Sequence, residues 1–66
     1  MKFGENLYNL RKKQKISQEK LAEKIGVSRQ SVSKWENGTS DPSTSNLIAI
    51  AKLFDFSAEE LLHEVQ

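Results

Sequence analysis

The sequence predicts an all-α fold, a compact five-helix bundle, and three observations carry the prediction. Apolar residues recur at spacings of three and four along five short stretches, the period of a helix with one buried face. A serine stands before each of the last four of those stretches, where a helix needs a side chain to accept from its first free N–H groups. No stretch alternates apolar and polar residues as a half-buried strand would.

Taken in order, Phe3, Leu7 and Leu10 predict a first helix starting near Gly4 and ending about Gln14. Ser17 caps a second, Gln18 to Ile25, with Glu19 favourable beside the positive end of its dipole. Gly26 ends it, because the residue after a helix often needs positive φ. Ser28 caps a third, to about Glu36, and Asn37-Gly38 stops it. The loop TSDPS follows, where Pro42 lacks an N–H and disfavours helix before it. Ser43 caps a fourth helix to about Phe54, with Leu47, Ile50, Ala51 and Phe54 as its stripe. SAEE, Ser57 to Glu60, is a capping box that opens a short fifth carrying Leu61, Leu62 and Val65.

Sixty-six residues are read as a single domain, residues 1–66, small enough that only about 60% of the chain's surface can be buried. The chain has no cysteine, which excludes disulfides and thiolate metal sites and agrees with a reducing cytoplasm. Met1 to Asn9 mixes charge with apolar residues, unlike a signal peptide. Leu47 to Ala51, the longest apolar run, is too short to span a bilayer, so no membrane partner is expected. A net charge of +1 conceals an asymmetry: residues 1–34 carry +6 and residues 35–66 carry −5. Such a split suggests that one end meets a polyanion.

Between the second and third helices lie only Gly26, Val27 and Ser28, and so short a turn makes the helices cross steeply. Ala22 supplies the small side chain where they meet, and Leu21, Ile25, Val27, Val32 and Trp35 supply the buried face. Residues 18–37 thereby meet the steric demands of a helix-turn-helix that binds DNA. The outward face of the third helix carries Arg29, Gln30, Ser33 and Lys34, followed by Asn37. A merely solvated face in a chain so rich in Lys and Glu would mix both signs. This one is all donors and has no acid.

LRKKQKISQEKLAEKIGVSRQSVSKWENG followed by PSTSNLIAIAKLFDFSAEELL resembles the Cro/Xre-type helix-turn-helix of bacterial and phage transcriptional regulators, over about residues 3–63. The resemblance implies a phage-repressor-like DNA-binding domain, commonly a symmetric dimer, with helix three in the major groove of operator DNA. Positions matching Arg29, Gln30 and Lys34 commonly read bases in that family, and those matching Gln18 and Asn37 commonly hold the backbone. The chemistry agrees. Arg29 is suited to guanine O6 and N7, Gln30 to adenine N6 and N7, and Lys34 to a guanine or a phosphate. Ser33 is short and serves either way. Gln18, at a helix N-terminus, is placed for phosphate, and Ser28 and Ser31 join it and Asn37 as expected phosphate contacts.

Lys12 and Lys13, within RKKQK, have an ordinary purpose in offsetting a helix dipole, and are also candidate phosphate contacts. The family's match to Arg11 commonly pairs with the acid matching Glu36, a structural role. Trp35 is read as core. His63 stands apart from any ligand set, so no metal is expected, nor any cofactor or small-molecule ligand. Phage members often carry Gln at the matches to both Arg29 and Lys34; cations here shift expectation toward G·C pairs and stronger salt dependence.

The leading expectation is a sequence-specific binder of double-stranded DNA, most simply a repressor in the cytoplasm on the nucleoid, paired as a homodimer through the region of helix five (Phe56, Leu61, Leu62, Val65). An antitoxin that binds both operator DNA and a toxin is an alternative, as is a protein-interaction bundle that binds no DNA. The charge of the first half speaks against the latter. Catalysis is not expected, because no nucleophile and base stand at plausible spacing.

Overall fold

The computed structural model describes residues 2–54, and among them the chain forms four α-helices and no strand: α1 (Lys2–Lys13), α2 (Gln18–Ile25), α3 (Arg29–Asn37) and α4 (Thr44–Phe54). Phe56 and the predicted fifth helix, with Leu61, Leu62, His63 and Val65, lie outside the described residues.

The three expected serine caps that lie within the described residues all form. Ser17 Oγ accepts from the Lys20 N–H at 3.0 Å, Ser28 Oγ from the Ser31 N–H at 3.2 Å, and Ser43 Oγ from the Asn46 N–H at 3.2 Å. Each satisfies a donor that the helix itself leaves open. Gly26 takes φ 77° and ψ 36° and donates its N–H to the Ala22 carbonyl, closing α2. Gly38 closes α3 as expected, with Asn37 as its last residue.

The first helix departs from expectation at its start. It starts at Lys2 rather than near Gly4, because Gly4 is an interior residue of the helix, buried where α1 passes the end of α3. Its end at Lys13 falls within one residue of the expected one: the Gln14 N–H still reaches the Leu10 carbonyl at 3.0 Å, after which Lys15 turns left-handed at φ 60° and the Ile16 N–H reaches back to the Arg11 carbonyl at 3.1 Å. This arrangement closes orphan carbonyls and folds Ile16 against the core. A lysine in that conformation costs roughly 1–2 kcal/mol.

The core draws on all four helices: Phe3, Leu7 and Leu10 from α1, Leu21 and Ala22 from α2, Val32 and Trp35 from α3, and Ile50, Ala51 and Phe54 from α4. Ile25, Val27 and Leu47 pack at its margin. α3 packs against both α2 and α1, and α4 packs against α2. One edge of α3 is thereby buried and the opposite edge faces out.

Ala22 of α2 is only 2% exposed, in the core cluster that includes Val32 and Trp35 of α3. Ala22→Leu is expected to lower stability on the order of 1–3 kcal/mol by overpacking. A thermal melt unchanged by the substitution would show that the two helices do not approach closely there.

Candidate nucleic-acid interface

α3 presents a sharply divided surface. Val32 is fully buried and Trp35 is 4% exposed, which turns Arg29, Gln30, Lys34 and Asn37 outward, with Ser33 half-buried beside them. The first turn of α3 holds no acidic residue. No carboxylate in that turn therefore offsets the positive end of the helix dipole, a setting that favours anions. The Ser28 and Ser31 hydroxyls lie 3.1 Å apart at this end of the helix. Ser28 Oγ is thus both the cap and a neighbour of Ser31.

At the other end, Asn37 Oδ1 accepts from the Thr39 N–H at 3.0 Å and from the Thr39 hydroxyl. That pins the carbonyl end of the carboxamide to the loop and leaves the Nδ2 end for an outside acceptor. Lys12 and Lys13 are exposed on the last turn of α1. The Lys12 ammonium stands 5.8 Å from the centroid of the Tyr8 ring, a cation–π distance that restrains a long side chain.

Beneath this surface sits an ion pair. Arg11 Nε donates to Glu36 Oε2 at 2.7 Å, Nη2 donates to Glu36 Oε1 at 3.1 Å, and Nη1 donates to the Ile16 carbonyl at 3.0 Å. The two side chains are 10% and 7% exposed. The hydrogen bonds that Arg11 donates to Glu36 raise its pKa above the ordinary value, against the opposing effect of burial. The pairing that the family resemblance implied is thus present, and it ties the C-terminal ends of α1 and α3 together.

Gln18 is not simply a surface residue at a helix N-terminus. Its Nε2 donates to Glu36 Oε1 at 3.1 Å, while its Oε1 accepts from Arg29 Nη1 at 3.4 Å. Sequence reasoning missed this link, as it missed the close passage of Gly4. Residues 18 and 36 belong to different helices, and no local spacing signals that they meet.

Among the described residues, no helix is long and apolar enough to cross a membrane, and no group of three or more His, Cys, Asp or Glu residues is placed to hold a metal ion.

Comparison with known proteins places this geometry. A helix-turn-helix family profile matches residues 7–61. The HTH-type transcriptional activator BcrR of Enterococcus faecalis is 44% identical over 62 residues, covering 94% of this chain and 30% of BcrR. The chain likewise spans only 28% of repressor protein C2 of Salmonella phage P22, to which it is 39% identical over 60 residues. The crystal structure of the P22 c2 repressor with synthetic operator 9T superposes with a TM-score of 0.86 at 37% identity, covering 89% of each chain. The N-terminal DNA-binding domain of SinR from Bacillus subtilis superposes with a TM-score of 0.87 at 31% identity, covering 96% of this chain and 93% of that one.

Proposed function

Because the chain belongs to the Cro/Xre-type helix-turn-helix family of transcriptional regulators, we propose that it binds a specific double-stranded operator with α3 in the major groove. The observation that carries this reading is the outward edge of α3: exposed Arg29, Gln30 and Lys34, no acid in the first turn, and a buried Val32–Trp35 edge that holds the helix in place. Arg29, nearest the N-terminal end, reaches base edges, guanine above all. Gln30, Ser33 and Lys34 read beside it. Ser28, Ser31 and Asn37, with Lys12 and Lys13, hold the sugar-phosphate backbone and set the register of the helix.

The protein acts by binding rather than catalysis, on the nucleoid in the cytoplasm, and most simply represses by occluding a promoter. Two copies bind a two-fold symmetric site, joined through the segment that carries Phe56, Leu61, Leu62 and Val65, with half-sites about 34 Å or a multiple apart. Selection of bound duplexes from a random pool tests this directly. Enriched sites without two-fold symmetry would remove the dimer, and no enrichment would remove sequence-specific reading altogether.

Arg29→Ala is expected to lose about 1–3 kcal/mol on the selected site, less on random DNA, with preference relaxing mainly at one base pair per half-site. Lys12→Ala or Lys13→Ala should weaken all duplexes alike and lower the slope of log affinity against log salt by about one for each phosphate no longer neutralised. Titrations of each variant at several salt concentrations separate the two behaviours. Equal weakening on both duplexes for Arg29→Ala would make Arg29 a phosphate clamp.

A further inference from the structure

We infer that Glu36 is a positioning residue for the DNA-reading surface: through the Gln18 carboxamide it orients the Arg29 guanidinium, so that the buried ion pair serves recognition as well as folding. The inference rests on the base-reading role of Arg29 proposed above.

The geometry forms a continuous chain. Arg11 commits Nε and Nη2 to the Glu36 carboxylate and Nη1 to the Ile16 carbonyl, so the carboxylate is held from below in a single orientation. Glu36 Oε1 then takes a second donor, Gln18 Nε2 at 3.1 Å. The far end of the same carboxamide, Oε1, faces Arg29 Nη1 at 3.4 Å. A carboxamide has two orientations, and the charges on either side choose between them. Turned over, Gln18 would set its oxygen against a carboxylate and its NH2 against a guanidinium, replacing both hydrogen bonds with repulsion. The anion on one side and the cation on the other therefore fix Gln18, and Gln18 restrains an exposed arginine that would otherwise sample many rotamers.

The physical consequence is preorganisation. Arg29 is half-way to a defined direction before DNA arrives, so binding requires less ordering. The bond to Gln18 is long, and a guanine edge that offers two acceptors competes well with it. Restraint rather than sequestration is the outcome. Gln18 keeps a second amide hydrogen for a phosphate, and a phosphate interaction alone would affect every sequence equally.

The experiment compares Gln18→Met, Glu36→Gln and Arg29→Ala, and the doubles Gln18→Met/Arg29→Ala and Glu36→Gln/Arg29→Ala, on the selected site and on random duplex. Gln18→Met and Glu36→Gln should each lower the ratio of specific to random affinity by about threefold to tenfold, the size of a coupling between neighbouring residues. Neither should lower it further once Arg29 is Ala. A weakening equal on both duplexes, or one that persists in the Arg29→Ala background, overturns the inference and leaves Gln18 a backbone clamp and Glu36 a structural residue. If Arg29→Ala by itself leaves the ratio unchanged, the base-reading role has failed, and that result is distinct from either. Should Glu36→Gln not fold, the free wild-type domain decides by NMR. The Gln18 side-chain amide should carry one slowly exchanging proton, and the Arg29 Nε–Hε should be more ordered than in Gln18→Met. Two fast-exchanging protons and an equally mobile Arg29 in both proteins would overturn it.

Discussion

Glu36→Ala is expected to lower the stability of the domain by about 3–5 kcal/mol, the usual cost of stranding one member of a buried ion pair. Arg11 is 8% exposed, and removal of the carboxylate leaves a guanidinium without its two charge-assisted hydrogen bonds in a place water barely reaches. The total stability of a domain is rarely more than about 5–15 kcal/mol, and a chain this short sits toward the lower end. Urea denaturation should therefore show a variant with little or no folded baseline. The doubly substituted Arg11→Met/Glu36→Leu should recover most of that stability, because it strands no charge. A single variant with a wild-type midpoint would mean that water solvates Arg11 freely. The pH dependence has a definite sign. The folded pKa of Arg11 is raised, so its contribution is fully present below the unfolded value and disappears only in strong alkali.

Gly4→Ala is expected to cost about 1–3 kcal/mol as an overpacked position, even though alanine improves helix propensity by roughly 1 kcal/mol. A β-carbon at residue 4 would lie 2.6 Å from the Glu36 carbonyl oxygen and 2.7 Å from that of Trp35. Both obstacles are backbone, so relief requires α1 to lift off the end of α3, taking Phe3 and Leu7 with it. Gly4→Val should be worse, since it adds bulk and restricts χ1 within a helix. Melting temperature reads the effect at about 4–8 °C per kcal/mol for a domain of this size. Gly26→Ala is the useful contrast: nothing lies within 4 Å of the added carbon, and only the left-handed backbone at φ 77° is penalised. If Gly4→Ala proved as mild as an ordinary surface change, the close crossing of α1 over α3 would be wrong.

The two predictions meet at one place. The carbonyls that crowd Gly4 belong to Trp35 and Glu36, and the Glu36 side chain closes the ion pair with α1. Backbone packing and charge pairing thus fasten the same helix end, and that end is one residue from Asn37 on the candidate DNA surface.

What the amino-acid sequence determined by itself is what depends on neighbours along the chain. Ser17, Ser28 and Ser43 each cap a helix within three residues of their own position, so their hydroxyls announce helix starts in the sequence. Spacings of three and four select the buried edge of α3, Val32 and Trp35, and with it the exposed edge of Arg29, Gln30 and Lys34. The short turn through Gly26 couples α2 to α3 because so few bonds cannot span any other arrangement. Tertiary structure alone decided what depends on distance through space. The first helix absorbs Gly4 because a backbone more than thirty residues away passes over it, and no local preference makes glycine a helix interior. Lys15 adopts a left-handed turn because Ile16 reaches the core. Gln18 joins Glu36 to Arg29 because packing brings the start of α2 between two opposite charges. Local hydrogen bonds and periodicity are encoded within a turn or two of chain, whereas an electrostatic link between helices exists only once the helices have packed.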